Sequence, residues 1–318
     1  MPTILGGTGL AVSRIGLGLA ALGRPGYINL GHASDLGGHA DPASMETSAW
    51  AVLDAAYGRG VLYFDAARSY GMAEAFLAKW LQHRQLGPND VTVGSKWGYT
   101  YTANWRVDAP LPEVKDLSVA ALRRQLAESR ELLGPSLRLY QIHSATIESA
   151  VLDDHPVLDE LARLRASGLS IGLTVTGPEQ AETIERALEV GGFDTVQATW
   201  NLLERSAESA LVAAHAAGMG VIVKEPVANG RLTARGDVAE VFDAARTAGI
   251  TPDALALAAA LSRTWADVVL CGPTTVQQLE SNLAALTVEL DPHLMEQLDA
   301  IRENPVSYWQ TRAALPWN

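Results

Sequence analysis

Eight short apolar runs rich in β-branched residues recur along the chain, and each is followed by a longer segment with helical spacing. Regular alternation of this kind is typical of βαβ units built around a parallel sheet. Apolar runs this short suit strands that are buried on both faces. The predicted strands are residues 15–19, 61–65, 91–96, 137–143, 170–174, 195–199, 220–224 and 268–271.

The segments between these runs carry apolar residues three and four positions apart, the spacing of one helix face. Asp116 and Ser118 provide capping oxygens before one such segment, and Gly134 and Gly168 follow two others as stop signals. Pro252 begins an extra helix before the last strand. The predicted helices are 44–57, 73–82, 118–133, 157–166, 179–188, 204–216, 238–248 and 275–286.

Eight strands and eight helices predict an α/β fold, a closed (β/α)8 TIM barrel, with residues 1–318 forming a single domain. An open doubly wound sheet is the alternative, but such sheets rarely keep the alternation this regular. Glycines at 6, 7 and 9 separate two short apolar pieces, which predicts an N-terminal hairpin across the barrel floor. The aromatic C-terminal tail, 308–317, is predicted to fold over the barrel mouth.

Charge and composition exclude several classes of function. Asp and Glu total 36 against 24 Lys and Arg, and the net charge of −12 disfavours binding to nucleic acid or anionic membranes. The single cysteine, Cys271, precludes an internal disulfide. No apolar stretch approaches the roughly 20 residues that span a bilayer, and the first residues lack a signal-peptide pattern. We expect a cytoplasmic protein without a metal site, and leave its oligomeric state open.

Three polar residues, Asp65, Lys96 and His143, lie at or near the carboxyl ends of the second, third and fourth predicted strands. In a barrel these ends meet at one mouth, and Tyr70 follows in the loop after the second strand. The four side chains are therefore expected to converge. Two long loops, 24–41 after the first strand and 98–117 after the third, should border these four side chains.

A phenol has a pKa near 10 and gives up its proton reluctantly at neutral pH. A neighbouring lysine ammonium should lower that pKa, and a carboxylate such as Asp65 should keep the lysine charged. His143 could then donate to the oxygen of a bound carbonyl. The four residues together predict an enzyme that protonates an oxygen atom.

These motifs resemble the aldo-keto reductase superfamily along nearly the whole chain. The resemblance lies in 8–18, in Asp65-Ala-Ala-Arg-Ser-Tyr70-Gly-Met-Ala-Glu74, in Gly94-Ser-Lys96, in Tyr140-Gln-Ile-His143, in 168–172, in Gln197-Ala-Thr-Trp-Asn201-Leu-Leu-Glu-Arg205 and in 277–282.

The resemblance implies a nicotinamide dinucleotide bound across the barrel mouth and hydride transfer to an aldehyde, ketone or sugar carbonyl, or the reverse oxidation. It makes Tyr70 the general acid, tuned by Lys96 and Asp65, with His143 orienting the carbonyl. The cofactor-binding positions that it implies are Gly18, Thr174, Gln197, Lys224, Pro226, Val227, Arg231, Gly272, Thr274, Gln278 and Asn282.

The chain departs from the family pattern at positions that bind this cofactor. Val175 replaces a customary asparagine, and Lys224 stands where many relatives stack an aromatic on the nicotinamide. The segment 272–278 lacks the arginine or lysine that usually holds the 2′-phosphate of NADPH. Arg231 or Arg235 could compensate. NADPH is the predicted cofactor, with NADH as the alternative.

Aromatic residues are the candidates for the walls of the substrate pocket, namely Tyr27, Trp97, Trp105 and Trp309. Two other functions stay open. Lys96 at a strand end could form a Schiff base, as in an aldolase. A non-catalytic, dinucleotide-sensing barrel is the other possibility, although all four catalytic positions are present.

Overall fold

The computed structural model describes residues 2–318, and all of their side chains except those of 292, 293 and 297. Eight parallel strands close into a barrel, in which neighbours along the chain are neighbours in space. The strands of the molecule are β1 (Thr3–Ile4), β2 (Ala11–Val12), β3 (Ile15–Gly18), β4 (Tyr63–Asp65), β5 (Thr92–Trp97), β6 (Tyr99–Tyr101), β7 (Glu113–Lys115), β8 (Leu137–Ala145), β9 (Ser170–Val175), β10 (Thr195–Thr199), β11 (Gly220–Lys224) and β12 (Val268–Cys271).

Pairing of β12 with β3 closes the barrel, with Val269 opposite Ile15 and Cys271 opposite Leu17. All eight predicted strands are present, and the (β/α)8 prediction is confirmed. The helices are α1 (His32–Leu36), α2 (Pro42–Gly58), α3 (Ala73–Arg84), α4 (Val119–Leu133), α5 (His155–Ala166), α6 (Gln180–Val190), α7 (Glu208–Ala216), α8 (Ala239–Ala248), α9 (Pro252–Leu261), α10 (Val276–Leu283), α11 (Pro292–Asp299) and α12 (Pro305–Ala313).

The hairpin of β1 and β2 closes the floor of the barrel, as predicted. Leu5 and Val12 are fully buried in an apolar cluster with inward-facing strand residues such as Tyr63 and Ile222. A Cβ on Gly6 would lie 2.2 Å from the backbone nitrogen of Gly220, so only glycine allows this approach. The floor is therefore packed, and access to the barrel interior is from the opposite end.

Loops at the carboxyl ends of the strands build up the mouth. The loop after β5 forms an antiparallel hairpin from β6 and β7. The tail adds α12 and then pairs with the loop after β3, since the amide of Tyr27 donates to Asn318 (2.9 Å) and the amide of Asn318 donates to Tyr27 (3.0 Å). The C-terminus thus folds over the mouth, as expected from its aromatic content.

Some helix boundaries differ from the sequence prediction. The helix expected from 204 begins at Glu208, because the side chain of Asn201 accepts from the amides of Leu203 and Glu204 and holds a turn there. The helix expected over 275–286 ends at Leu283 and continues as a tighter turn. Among the described residues, no helix combines the length and apolar character needed to cross a bilayer.

Candidate active site

A cavity of about 850 Å³ opens at the mouth of the barrel, a volume within the range of roughly 300 to 1,000 Å³ that is usual for small-molecule sites. Two groups of residues lie at the opposite ends of this cavity. The catalytic end comprises Asp65, Tyr70 and His143 on the wall and Lys96, which is buried behind them and hydrogen-bonded to Tyr70. The loop end comprises Asp35, Arg235, Thr274, Gln278 and Asn282.

Lys96 is the centre of the catalytic end. Its ammonium makes an ion pair with Asp65 and donates to the hydroxyl of Tyr70 at 3.2 Å and to the carbonyl of Ala66 at 3.0 Å. Asp65 and Lys96 are both almost completely buried, so the pair is shielded from water. The adjacent strands β4 and β5 supply the two residues, which explains why their side chains meet.

Asp65 accepts further hydrogen bonds on its second oxygen. Tyr63 donates to it at 3.1 Å and the amide of Gln197 donates at 3.0 Å. A buried carboxylate with this many donors is fixed in place. Asp65 is therefore held against the ammonium of Lys96.

Tyr70 lies half-buried with its hydroxyl on Lys96. Burial raises the pKa of Tyr70 well above its usual value, Asp65 acts in the same direction, and Arg24 opposes them. This net direction is opposite to the lowering predicted from the lysine alone. The phenol is accordingly protonated at neutral pH, the state that a proton donor requires.

His143 packs edge-on against the rings of Tyr70 and Tyr99, at centroid distances of 5.5 and 5.0 Å. Burial lowers the pKa of His143 well below its usual value, and the charges of Lys96 and Arg24 lower it further. The imidazole is therefore neutral at pH 7, with one N–H to donate. A neutral imidazole beside a phenol suits a hydrogen bond to a carbonyl oxygen.

A second charged group follows β11. Lys224 donates to the hydroxyl of Thr199 at 2.7 Å, and Glu225 forms a two-point ion pair with Arg312 of α12. Burial lowers the pKa of Lys224 to about 8, although Glu225 opposes this shift. Burial alone would raise the pKa of Glu225, but Arg312 and Lys224 outweigh it and lower the value to about 2.

The backbone of Glu225 adopts an unfavourable conformation. Its φ of 56° lies in the left-handed region, which costs a non-glycine residue roughly 1–2 kcal/mol. The ion pair with Arg312 offsets this cost and ties the C-terminal helix to the barrel. The cavity wall beside β11 therefore carries the charged side chains of Glu225 and Arg312, whereas aromatic walls are predicted from the sequence.

The loop end is formed mainly by residues that follow β3 and β12. Arg235 makes a two-point ion pair with Asp35 and also donates to the carbonyl of Leu30 at 3.1 Å. Gln278 donates to Asp35 at 2.8 Å and accepts from the amide of Thr274 at 2.8 Å. Burial opposes ionisation of Asp35, but these donors outweigh it and hold its pKa below the usual value.

Most of the predicted cofactor positions border the cavity. Asn282 is oriented by a 2.8 Å hydrogen bond to Asp253, and Thr174 accepts from the amide of Ser144 at 2.7 Å, which leaves its hydroxyl proton available. The predicted positions on the cavity wall are Gly18, Thr174, Gln197, Lys224, Pro226, Val227, Gly272, Thr274, Gln278 and Asn282.

Arg231 is the predicted cofactor position that does not line the cavity. Its guanidinium is held by Glu303 at 2.6 Å and 3.1 Å and by Asp237 at 3.6 Å. The other candidate arginine, Arg235, does reach the wall, but its donors are taken up by Asp35 and loop carbonyls. Neither arginine offers a free guanidinium to a phosphate.

Of the four predicted substrate residues, only Tyr27 borders the cavity. Trp97 is completely buried, and Trp105 instead donates its indole N–H to the carbonyl of Ala40 at 2.6 Å. Trp309 is a buried residue of α12 and packs against Lys224 and Arg312. These three tryptophans pack the loops and the tail, because large apolar rings are most stable where they are covered.

Several cavity residues have no counterpart in the sequence-based site, namely Arg24, Asp35, Glu113, Glu225 and Arg312. Glu225 directly follows a predicted strand, so its position at a strand end, like that of Lys96, could have indicated it. The other four lie outside the barrel strands, and no spacing in the sequence links them to the barrel: Arg24 in the loop after β3, Asp35 in α1, Glu113 in β7 and Arg312 in α12.

Comparisons with known proteins show the family and the fold of the chain. The model of the aldo/keto reductase family matches residues 14–303. An uncharacterized oxidoreductase, YrpG of Bacillus subtilis, is 26% identical over 99% of both chains, and L-galactose dehydrogenase of Arabidopsis thaliana is 26% identical over 94% of this chain and 93% of its own. A solved structure, the holo form of aldo-keto reductase AKR11C1 from Bacillus halodurans, superposes with a TM-score of 0.74 at 22% identity, covering 96% of this chain and 97% of that one.

Proposed function

The chain belongs to the aldo/keto reductase family of oxidoreductases, and on that premise we propose that it is a nicotinamide-dependent enzyme that reduces the carbonyl of an aldehyde, ketone or sugar, or catalyses the reverse oxidation. The observation that carries the proposal is the hydrogen bond of 3.2 Å between the buried ammonium of Lys96 and the hydroxyl of Tyr70.

The proton path in this proposal uses residues at the catalytic end. In reduction, the hydroxyl of Tyr70 gives its proton to the carbonyl oxygen as negative charge develops there. The ammonium of Lys96 then stabilises the phenolate that remains, and the ion pair with Asp65 holds that ammonium in place. His143, neutral and next to Tyr70, donates a hydrogen bond that orients the same oxygen.

The nicotinamide would supply or accept the hydride, which no amino-acid side chain can do. The cavity fits a dinucleotide in two respects. It extends continuously from the catalytic end to the loop end, and it contains buried polar atoms without a partner in the described part of the chain, the Nδ1 of His143 and the Oδ1 of Asn229. Gln197, Thr174 and Asn282 would provide the hydrogen bonds that hold such a ligand.

For the identity of the dinucleotide, the resemblance favours NADPH, but the side chains at the loop end support NADH. A 2′-phosphate carries roughly −1.5 to −2 charge at pH 7 and requires cationic donors. Arg235 is already neutralised by Asp35, and Asp35 would repel the phosphate. A free ribose 2′-hydroxyl could instead donate to Asp35, the role an acidic residue has in other NAD sites.

The charged wall of the cavity bears on the substrate. Arg24, Glu113, Glu225 and Arg312 offer donors and acceptors of the kind that bind hydroxyl groups. This supports a hydroxylated carbonyl compound over an apolar one. The similarity to L-galactose dehydrogenase points in the same direction.

The lyase alternative is less well supported. A Schiff base requires a neutral amine, whereas Lys96 is held by the carboxylate of Asp65. No comparable observation favours a purely sensing role.

The proposal can be tested by titrating the protein with NADH and with NADPH under identical salt, following tryptophan fluorescence, and then measuring turnover against a panel of aldoses and aldehydes. Saturable quenching, together with carbonyl-dependent consumption of the reduced cofactor, is the expected result. Binding without turnover of any carbonyl or alcohol in the panel would favour a sensor. A borohydride-trapped adduct on Lys96 would favour the lyase.

A further inference from the structure

Arg24 is a buried arginine, 3% exposed, in the loop after β3. Its Nη1 donates to the carbonyl of Ser69 at 3.0 Å. Ser69 directly precedes Tyr70. Its guanidinium carbon lies 5.3 Å from the centre of the Tyr70 ring, within the range of a cation–π contact. Arg24 therefore contacts both the backbone and the ring of the proposed proton donor.

The loops that carry Arg24 and Tyr70 are also joined directly. The amide of Met72 donates to the carbonyl of Gly23 at 2.7 Å. A Cβ on Gly23 would lie 2.1 Å from the carbonyl oxygen of Tyr70, and one on Gly71 would lie 2.4 Å from the carbonyl oxygen of Gly23. The backbones are packed so closely that a shift of one loop displaces the other.

The other faces of Arg24 contact two further segments of the mouth. Its guanidinium forms an ion pair with Glu113 on β7 and lies 4.6 Å from the centre of the Trp317 ring in the tail. It also lies 5.3 Å from the ring of Tyr27. Four segments of the mouth, including the loop of Tyr70, thus meet at a single buried guanidinium.

We propose that Arg24 is a positioning residue for Tyr70, and that the Arg24–Glu113 pair sets the charge felt by the phenol. This inference rests on the proposed function, in which Tyr70 is the proton donor. Arg24 fixes the loop through Ser69 and stabilises the negative charge that Tyr70 acquires when it loses its proton. Glu113 limits that effect by neutralising part of the guanidinium charge.

The two members of the pair act on Tyr70 with opposite sign. The positive charge of Arg24 lowers the pKa of Tyr70, and the negative charge of Glu113 raises it. Burial and Asp65 are stronger and set the net direction. The ionisable and charged groups around Tyr70 are Asp65, Lys96, His143, Arg24, Glu113, Glu225, Tyr27 and Tyr63.

The test compares Arg24→Met with Glu113→Gln. Reduction of 4-nitrobenzaldehyde by the tighter-binding of NADH and NADPH is measured across pH, and the alkaline limb of kcat/KM reports the pKa of Tyr70. Arg24→Met should move this limb up by about one pH unit, and Glu113→Gln should move it down by a similar amount. Arg24→Met should also lower kcat/KM about 10- to 100-fold, because the phenol is less well placed.

The ultraviolet absorbance of tyrosinate gives a second readout that requires no turnover. The difference between the wild type and Tyr70→Phe isolates the ionisation of Tyr70, and the same subtraction is made in each variant background. If the wild type consumes neither cofactor, the proposed function fails, but this titration still tests the placement of Tyr70.

Arg14→Met is the matched control, since Arg14 donates to backbone carbonyls of Leu261 and Ala266 and does not line the cavity. It should lose stability without any shift of the alkaline limb. Arg24→Lys, which keeps the charge, should restore the position of the limb. If Arg24→Met does not fold, Arg24→Gln, which also removes the charge, takes its place. Shifts of the same sign in Arg24→Met and Glu113→Gln, or no shift in either the limb or the tyrosinate titration, would overturn the inference.

Discussion

The two ends of the cavity differ in how their charges are held. At the catalytic end, Asp65 and Lys96 belong to adjacent barrel strands, and the rigid sheet fixes their separation. At the loop end, Asp35 of the short helix α1 and Arg235 of the loop after β11 lie 200 residues apart in sequence, and their ion pair helps to hold these two segments together. On the proposed function, the barrel positions the residues of the chemical step, while the loops position the residues that would select the ligand.

The exposure of the two ion pairs follows the same division. The side chains of Lys96 and Asp65 are 1% and 3% exposed, whereas those of Arg235 and Asp35 are 42% and 10% exposed. Breaking the buried pair should therefore abolish function, and breaking the exposed pair should only change preference.

Lys96→Met should have the largest effect. Loss of the ammonium removes the charge that stabilises the Tyr70 phenolate, and turnover should fall about 10²- to 10⁴-fold. The buried carboxylate of Asp65 is left unpaired, which should cost about 3–5 kcal/mol of unfolding free energy. Steady-state kinetics and urea unfolding measure the two losses.

The double variant Asp65→Asn/Lys96→Met separates these effects, because it removes both charges together. Stability should largely recover while turnover stays low. Recovery of turnover with stability would show that Lys96 acts only in folding.

Asp35→Asn should change cofactor preference without abolishing activity. Removing the carboxylate frees Arg235 for a 2′-phosphate and removes the acceptor for a 2′-hydroxyl, so the ratio of the NADPH and NADH dissociation constants should shift about 10-fold or more toward NADPH. Fluorescence titration of both cofactors measures the ratio. An unchanged ratio, or a wild type that already binds NADPH more tightly, would contradict the assignment of NADH.

Lys224→Met should show how much the burial of the Lys224 ammonium lowers the free energy of unfolding. The pKa of Lys224 in the folded protein is about 8, below the usual 10.5, so the unfolded chain binds more protons between these values. Stability of the wild type should therefore rise with pH in this window, by about 2 kcal/mol relative to Lys224→Met between pH 7 and 9.5. Urea unfolding at the two pH values checks the sign, and parallel behaviour of the two proteins would rule out a depressed pKa.

Arg231→Ala should have the smallest effect on function. Its guanidinium is bound by Glu303 and Asp237 and does not reach the cavity. Dissociation constants for both dinucleotides should change less than about 2-fold, with a loss of roughly 1 kcal/mol in stability. A selective weakening of NADPH would mean that Arg231 does hold the phosphate.

The comparison of the two ends also explains what the sequence could predict. The eight strands are recognisable because burial on both faces demands continuous apolar runs, and Asp65, Lys96 and His143 stand out as polar residues at or near the ends of those runs. Once the barrel is recognised, strand order brings these residues together. Tyr70 lies only five residues after Asp65, so the short loop keeps it near the other three side chains.

The loop end could not be predicted in the same way. Asp35 and Arg235 have no local pattern that pairs them, and their contact depends on how two loops fold. The aromatic tail was expected to cover the mouth, and it does, but its helix α12 and the pairing of Arg312 with Glu225 depend on tertiary contacts. Trp97, the last residue of β5, and Trp105, in the loop between β6 and β7, likewise pack inward, which their places in the sequence alone do not indicate.

The most direct test of the central claim is a single-turnover measurement on Tyr70→Phe, a change that removes one oxygen atom and leaves the ring contact with His143 in place. With cofactor saturating and a carbonyl that the wild type reduces, hydride transfer should slow about 10³-fold, while the dissociation constant of the dinucleotide should change less than about 2-fold. Hydride transfer by Tyr70→Phe at the wild-type rate would contradict the assignment of Tyr70 as the proton donor.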